Sequence, residues 1–71
     1  MLYKVGDIVK SNEIYRIKGP ALCKIVLDEP VIYEIVKATK TSTYNASYVV
    51  KNVKTGEVEK YQYWESDLYR S

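Results

Sequence analysis

Val31-Ile32-Tyr33-Glu34-Ile35-Val36-Lys37-Ala38-Thr39 is the stretch that decides the fold, because its β-branched and aromatic side chains suit a pleated, half-buried surface. A polar connection, Lys40-Thr41-Ser42-Thr43, separates it from a second run of the same character at residues 44–53. Lys54-Thr55-Gly56-Glu57 then reads as a hairpin turn with glycine where a left-handed backbone is wanted, and residues 58–63 form the returning arm. These three segments make a meander. Beyond it, Trp64-Glu65-Ser66-Asp67 lacks β-character and reads as a single helical turn of α or 3₁₀ type, followed by a short last strand at residues 68–70. Upstream, Val5-Gly6-Asp7 is a turn that feeds a first strand at Ile8-Val9-Lys10. Residues 11–30 leave two readings open. Gly19-Pro20 breaks the segment and Asp28-Glu29-Pro30 closes it, so Ile14, Tyr15 and Ile17 belong either to a turn of helix or to one arm of a long folded-back loop. Residues 22–27 could form a short strand within it.

Composition agrees with an all-β domain. Eight tyrosines and no phenylalanine accompany many Val, Ile and Thr, whereas three alanines and four leucines are too few for a helical bundle. The 71 residues leave no room for a second core. A chain of this size buries only about 60% of its unfolded surface, which excludes a deep enclosed active site. A three-stranded meander cannot cover its own apolar face, but five short strands that curl and close can, and closure removes exposed edges. The expected fold is therefore all-β: a small five-stranded SH3-like barrel over residues 1–71, with one short helical turn before the last strand. Val5, Val9, Tyr33, Ile35, Val50, Val58 and Leu68 are the expected core.

The inventory excludes several chemistries. There is no histidine, the usual proton shuttle near neutral pH and the commonest metal ligand. A single cysteine, Cys23, permits no disulfide framework and no cysteine-type zinc site within one chain. A small secreted domain usually needs such staples, so a reducing, cytoplasmic setting is expected. No stretch has the apolar length of a signal peptide or of a membrane span, and the Asn45-Ala46-Ser47 sequon would matter only in a secretory pathway. No metal and no cofactor is expected.

Five features of the sequence bear on chemistry. Lys24 beside Cys23 could lower the thiol's pKa, but no partner base exists, and a lone cysteine usually packs as a small hydrophobe. Asp28, Glu29, Glu65 and Asp67 could be imagined as acid–base pairs or cation ligands. Solvated turn charge accounts better for Asp28 and Glu29, and capping or closing of the helical turn for Asp67. Gly6, Gly19 and Gly56 lack the spacing of a phosphate-cradling loop. Charge is uneven despite a net +2: Lys10, Arg16, Lys18 and Lys24 oppose only Glu13 in one segment, while Glu57, Glu59, Glu65 and Asp67 oppose only Lys60 in another. In an SH3-like barrel the first long loop and the loop after the second strand lie side by side. Tyr15, Arg16 and Lys18 would then approach Lys40 and Tyr44, offering aromatic rings beside cations for a single-stranded nucleic acid or a peptide. Trp64 either anchors an interface or plugs one end of the barrel. The ordinary alternative for the whole set is a solvated loop with surface tyrosines.

Lys4-Val5-Gly6-Asp7-Ile8-Val9 opens like many SH3-like and KOW-type barrels, although the further glycines of a true KOW motif are absent. With the hairpin at Asn52-Val53-Lys54-Thr55-Gly56-Glu57 and the ending Glu65-Ser66-Asp67-Leu68, the chain resembles the YorP family over its whole length. That family comprises small Bacillus prophage proteins of the SPβ type. The resemblance implies five strands with one short helix between two of them, and no activity, cofactor or site residue. The expected function is that of a non-enzymatic phage-type binding module, monomeric, with no membrane attachment, that contacts a host or phage protein. The alternative is a nucleic-acid-binding module using the basic, aromatic side. Tyr15, Arg16, Lys18, Lys40, Tyr44 and Trp64 are the candidate ligand-binding residues in either case.

Overall fold

Gly19-Pro20 sets the architecture from one end of the molecule. In the computed structural model, which describes residues 2–40 and 45–70, these two residues join β1 (Ile8–Lys18) to β2 (Ala21–Lys40), with Lys18 paired to Ala21. Gly19 has φ +59°, and proline after it is locked near −65°. That combination suits a type II′ hairpin, whose first central position needs positive φ and whose twist matches the flanking strands. Residues 11–30 are therefore strand on both arms of a long hairpin, apart from this turn. Neither a helical turn nor an irregular loop forms there, and β1 runs well past the Ile8-Val9-Lys10 expected of it.

β2 is followed by β3 (Ala46–Asn52) and β4 (Tyr63–Trp64), and the four strands form one antiparallel sheet in the order β1-β2-β3-β4. The sheet is strongly curled. Twenty residues of straight strand would span about 60 Å at roughly 3.3 Å each, whereas the longest dimension of the molecule is 32 Å. Two irregularities bend β2. Ser11 pairs with Val31 but Glu13 pairs with Val26, so residues 27–30 stand opposite Asn12 alone. Pro30 has no N–H to donate and fits this gap in the ladder. The buried Ser11 hydroxyl fixes the bend from the other strand, donating to the Glu13 carbonyl and accepting from the Glu13 N–H, both at 3.1 Å. Further on, Ile35 pairs with Val50 and Lys37 with Val49, which leaves Val36 as an extra residue that adds twist.

The result is an all-β, barrel-like half-closed sheet of four strands, one fewer than expected. The expected last strand at residues 68–70 is reduced to one bridge, in which Lys10 and Tyr69 exchange both backbone hydrogen bonds at 2.8 and 2.9 Å. The returning arm of the meander is also broken: Val58 bridges Lys51, and regular pairing resumes only at Tyr63 and Trp64. Glu65–Asp67 makes a single three-residue 3₁₀ turn, too short to count as a helix.

Tyr3, Val9, Tyr33, Ile35, Ala46, Tyr48, Val50, Tyr63 and Leu68 form the core. Two expected members are not in it. Val5 is 63% exposed because it lies in the turn before β1, and Val58 is 54% exposed because it sits on the broken arm where no further strand covers it. Tyrosines take the vacant share. Tyr3 meets Tyr48 edge-on at 5.4 Å, and Tyr63 meets Tyr15 edge-on at 5.1 Å. Such pairs add about 0.5–1.5 kcal/mol each beyond the area they bury.

Candidate functional site

Neighbouring residues on a strand point to opposite faces, and this alternation divides the β1–β2 hairpin. Glu13, Tyr15 and Ile17 share a face with their partners Val26, Lys24 and Leu22. Near the body of the curled sheet this face is tied down. The Tyr15 hydroxyl donates to Asp67 Oδ2 at 2.6 Å, and the Trp64 backbone N–H donates to the same oxygen at 3.0 Å. Lys24 Nζ stands 3.0 Å from Asp67 Oδ1 and 2.8 Å from Glu13 Oε2. Burial pushes the Asp67 carboxyl up, but Tyr15, the Trp64 N–H and Lys24 together hold it below the ordinary aspartate value. Burial, and then the Asp67 carboxylate, pushes the Tyr15 phenol up to about 12. The Glu13 and Asp67 carboxylates raise Lys24 above an ordinary lysine.

A second set of polar contacts crosses to the broken arm. Arg16 Nη1 pairs with Glu59 Oε2 at 3.2 Å and also donates to the Tyr15 carbonyl at 2.7 Å. The Tyr33 hydroxyl donates to Glu59 Oε1 at 3.2 Å and lies 3.3 Å from the Tyr63 hydroxyl. Burial raises both phenols above the ordinary tyrosine value. These phenols are satisfied structural groups. None is a poised acid or base.

Where the tying ends, a groove opens. It has a volume of about 470 Å³ and lies between the end of β1 and the broken arm, lined by Tyr15, Arg16 and Ile17 on one wall and by residues 57–61 on the other. Ile17 is 61% exposed and shares the lining with Val58, which is 54% exposed, and with Tyr61, so apolar side chains and the charged Arg16, Glu57, Glu59 and Lys60 line the groove together. Lys60 at the rim and Lys18 just past Ile17 have no carboxylate within ion-pair distance among the described residues. A smaller groove of about 330 Å³ is lined by Asn45, Ala46, Trp64, Glu65 and Ser66.

The expected site residues therefore fall in three places. Tyr15 and Arg16 line the larger groove together, with Lys18 at the hairpin tip next to Ile17. Trp64 lines the smaller groove, and Lys40 pairs with Ala46 at the end of the β2–β3 ladder. Lys40 is not part of the larger groove's described lining, and Tyr44 lies outside the described residues. Ile17, Val58, Glu59 and Tyr61 were missed as site residues. The exposed pair Ile17 and Val58 carried no sequence signal, because Ile17 lies in the segment that reads either as a helical turn or as a loop arm and Val58 reads as a core residue of the returning strand. Cys23 is half-buried and alternates away from Lys24, whose ammonium is engaged by Glu13 and Asp67. Among the described residues no cluster of three His, Cys, Asp or Glu side chains could hold a metal ion, and no helix is long and apolar enough to cross a membrane.

Compared with known proteins, the chain matches no family model, no curated protein sequence and no solved structure.

Proposed function

We propose that this chain is a non-enzymatic binding module whose partner is a protein, and that it engages this partner through the groove between β1 and the broken arm. The observation that carries the reading is the exposed Ile17 and Val58, beside a half-buried Tyr61, in a concave site that Arg16, Glu57, Glu59 and Lys60 also line. Isolated surface hydrophobes need no explanation, but apolar residues gathered in a groove and rimmed by charge are typical of contact sites. The tyrosines and carboxylates nearby are committed to one another, which leaves no pair in contrasting environments for acid–base work. The fold reading that goes with this is an SH3-like barrel in which the Val58 arm and the Tyr69 bridge stand for short, interrupted strands. A cytoplasmic, prophage-encoded protein resembling the YorP family accords with that reading.

The nucleic-acid alternative has less support. Arg16, its central cation, is neutralised by Glu59, and Glu57 shares the rim. Phosphate binding needs uncompensated cations and shows itself as steep salt dependence. Selection of random peptides displayed on phage against the immobilised domain tests the protein reading. Enriched peptides should bind the Val58→Asp variant at least about tenfold more weakly, the loss of one buried apolar anchor. Failure to enrich any peptide, or equal binding to wild type and variant, overturns it. Amide shifts on adding oligonucleotides at low salt would favour the alternative.

A further inference from the structure

The groove lies between two strand edges, each with one residue, Ile17 or Val58, whose outward backbone groups have no backbone partner among the described residues. In a two-residue hairpin the residues flanking the turn form a hydrogen-bonded pair, so Lys18, Arg16 and Ile14 direct their N–H and C=O toward β2. Glu13, Tyr15 and Ile17 direct theirs outward. Tyr15 agrees with this orientation, since its carbonyl accepts from the Arg16 side chain. On the opposite wall the Asn52 N–H donates to the Glu57 carbonyl and the Glu59 N–H donates to the Val50 carbonyl. Val58, between them, must turn its own N–H and C=O away from β3. Ile17 and Val58 thus present backbone donors and acceptors to the same groove, and no backbone hydrogen bond joins them.

Resting on the protein-partner reading, we propose that the occupant of this groove is an extended peptide segment that pairs as an added strand with the Ile17 edge and places a carboxylate near Lys18 and Lys60. An unpaired edge is a ready template for a strand, with main-chain hydrogen bonds giving affinity and alternate side chains giving selectivity. Alternate residues of the segment meet the apolar walls of Ile17, Val58 and Tyr61. The rim supplies the charge preference. Lys18 and Lys60 are uncompensated among the described residues, Glu57 is the one unpaired carboxylate against them, and Arg16 and Glu59 cancel and keep their bridge at one level of the seam, so the rim carries a net single positive charge. A β-branched segment ending in Asp or Glu fits both features, and a basic segment does not.

The test uses a capped peptide of alternating valine and threonine ending in aspartate, the same peptide N-methylated on alternate amides, and the same peptide ending in lysine. Amide hydrogen exchange and amide shifts of the full chain are followed. Slowing of exchange at Ile17 and Val58 by about tenfold, lost on N-methylation and weakened by the lysine ending or by Lys18→Glu with Lys60→Glu, supports the proposal. Three outcomes overturn it. The N-methylated peptide could bind as well as the parent while groove side chains shift, which leaves the protein-partner reading standing but removes strand addition. Ile17 protection could appear without peptide and grow with protein concentration, which makes a second copy the occupant. Finally, no shift with any of the three peptides at millimolar concentration would remove this ligand class, whatever the phage selection returns.

Discussion

Asp67 is the residue on which the local structure turns. Its side chain is 1% exposed, and it accepts from Tyr15 and from the Trp64 N–H while facing Lys24. Replacing a buried, partnered carboxylate leaves its donors unsatisfied, at about 1–3 kcal/mol for neutral groups and more when a charge is stranded. Lys24 is half-exposed and can rehydrate. Asp67→Asn is therefore expected to cost about 2 kcal/mol at neutral pH, which urea unfolding would measure. The pH dependence has a definite sign. The folded carboxyl sits below its unfolded value, so the stabilisation is complete above about pH 4 and is lost as pH falls through the folded value. The variant's stability should fall less steeply below pH 4 than the wild type's, though not become flat. Asp7, held low first by the Lys4 N–H and also by Arg70, contributes its own acid dependence to both proteins. A variant whose acid limb matched the wild type's would remove Asp67 from this role. In the sequence Asp67 could be seen as closing its own turn, and its bond to the Trp64 N–H does so. Its bonds to Tyr15 and Lys24 could not be read, because they join residues more than forty positions apart. The same limit applies to the core. Val9, Tyr33, Ile35, Val50 and Leu68 could be picked by type and strand, whereas Tyr3, Tyr48 and Tyr63 could not. Tyrosine is buried only where its hydroxyl finds a partner, and those partners lie on other elements.

At the scale of elements, the β1–β2 hairpin carries both the groove's first wall and the Tyr15 and Lys24 ties to the body of the curled sheet. Its turn depends on the backbone of Gly19. A Cβ built there meets no atom within 4 Å, so a side chain has space, and the cost of adding one lies entirely in the φ of +59°. For an L-residue that cost is about 1–2 kcal/mol. Gly19→Ala is expected to lower stability by that amount and to speed amide exchange at Lys18 and Ala21 more than at Tyr48 or Val50. Uniform loss of protection across all strands would show that the hairpin has no local opening of its own. The first two strands of the meander from Val31 were legible because β-branched runs bounded by turn residues have few alternatives, whereas the returning arm expected at residues 58–63 is only a bridge at Val58 and a pair at Tyr63 and Trp64. The hairpin before the meander was not legible, although Gly19-Pro20 was recognised as a break. Ile14-Tyr15-Arg16-Ile17 supports neither period decisively, and Asp28-Glu29-Pro30 reads as a strand's end. The chain instead absorbs those three residues in a bulge opposite Asn12, a solution that becomes visible only once the register is known.

Across the whole molecule, stability depends on one thin core through which Tyr63 connects the parts. Its ring is fully buried, stacks edge-on with Tyr15 of β1 at 5.1 Å and packs against Tyr33 of β2 at 5.4 Å. It also pairs through the backbone with Tyr48 of β3. The loss of such a ring typically costs about 3–5 kcal/mol through transfer and cavity terms together. At about 0.05–0.15 kcal/mol per residue, a chain of 71 residues has a total stability of about 4–10 kcal/mol. Tyr63→Ala therefore removes a large part of the total, and its melting midpoint should fall by about 12–40 °C at about 4–8 °C per kcal/mol. Tyr63→Phe separates packing from hydrogen bonding. It keeps the ring and gives up the hydroxyl that lies 3.3 Å from the Tyr33 hydroxyl, at about 1–2 kcal/mol. Circular-dichroism melts should place the Phe variant between the wild type and the Ala variant, with amide dispersion intact. If Ala and Phe variants melted together, the hydroxyl rather than the ring would hold the halves of the sheet together, and the tyrosine stack would be incidental to closure.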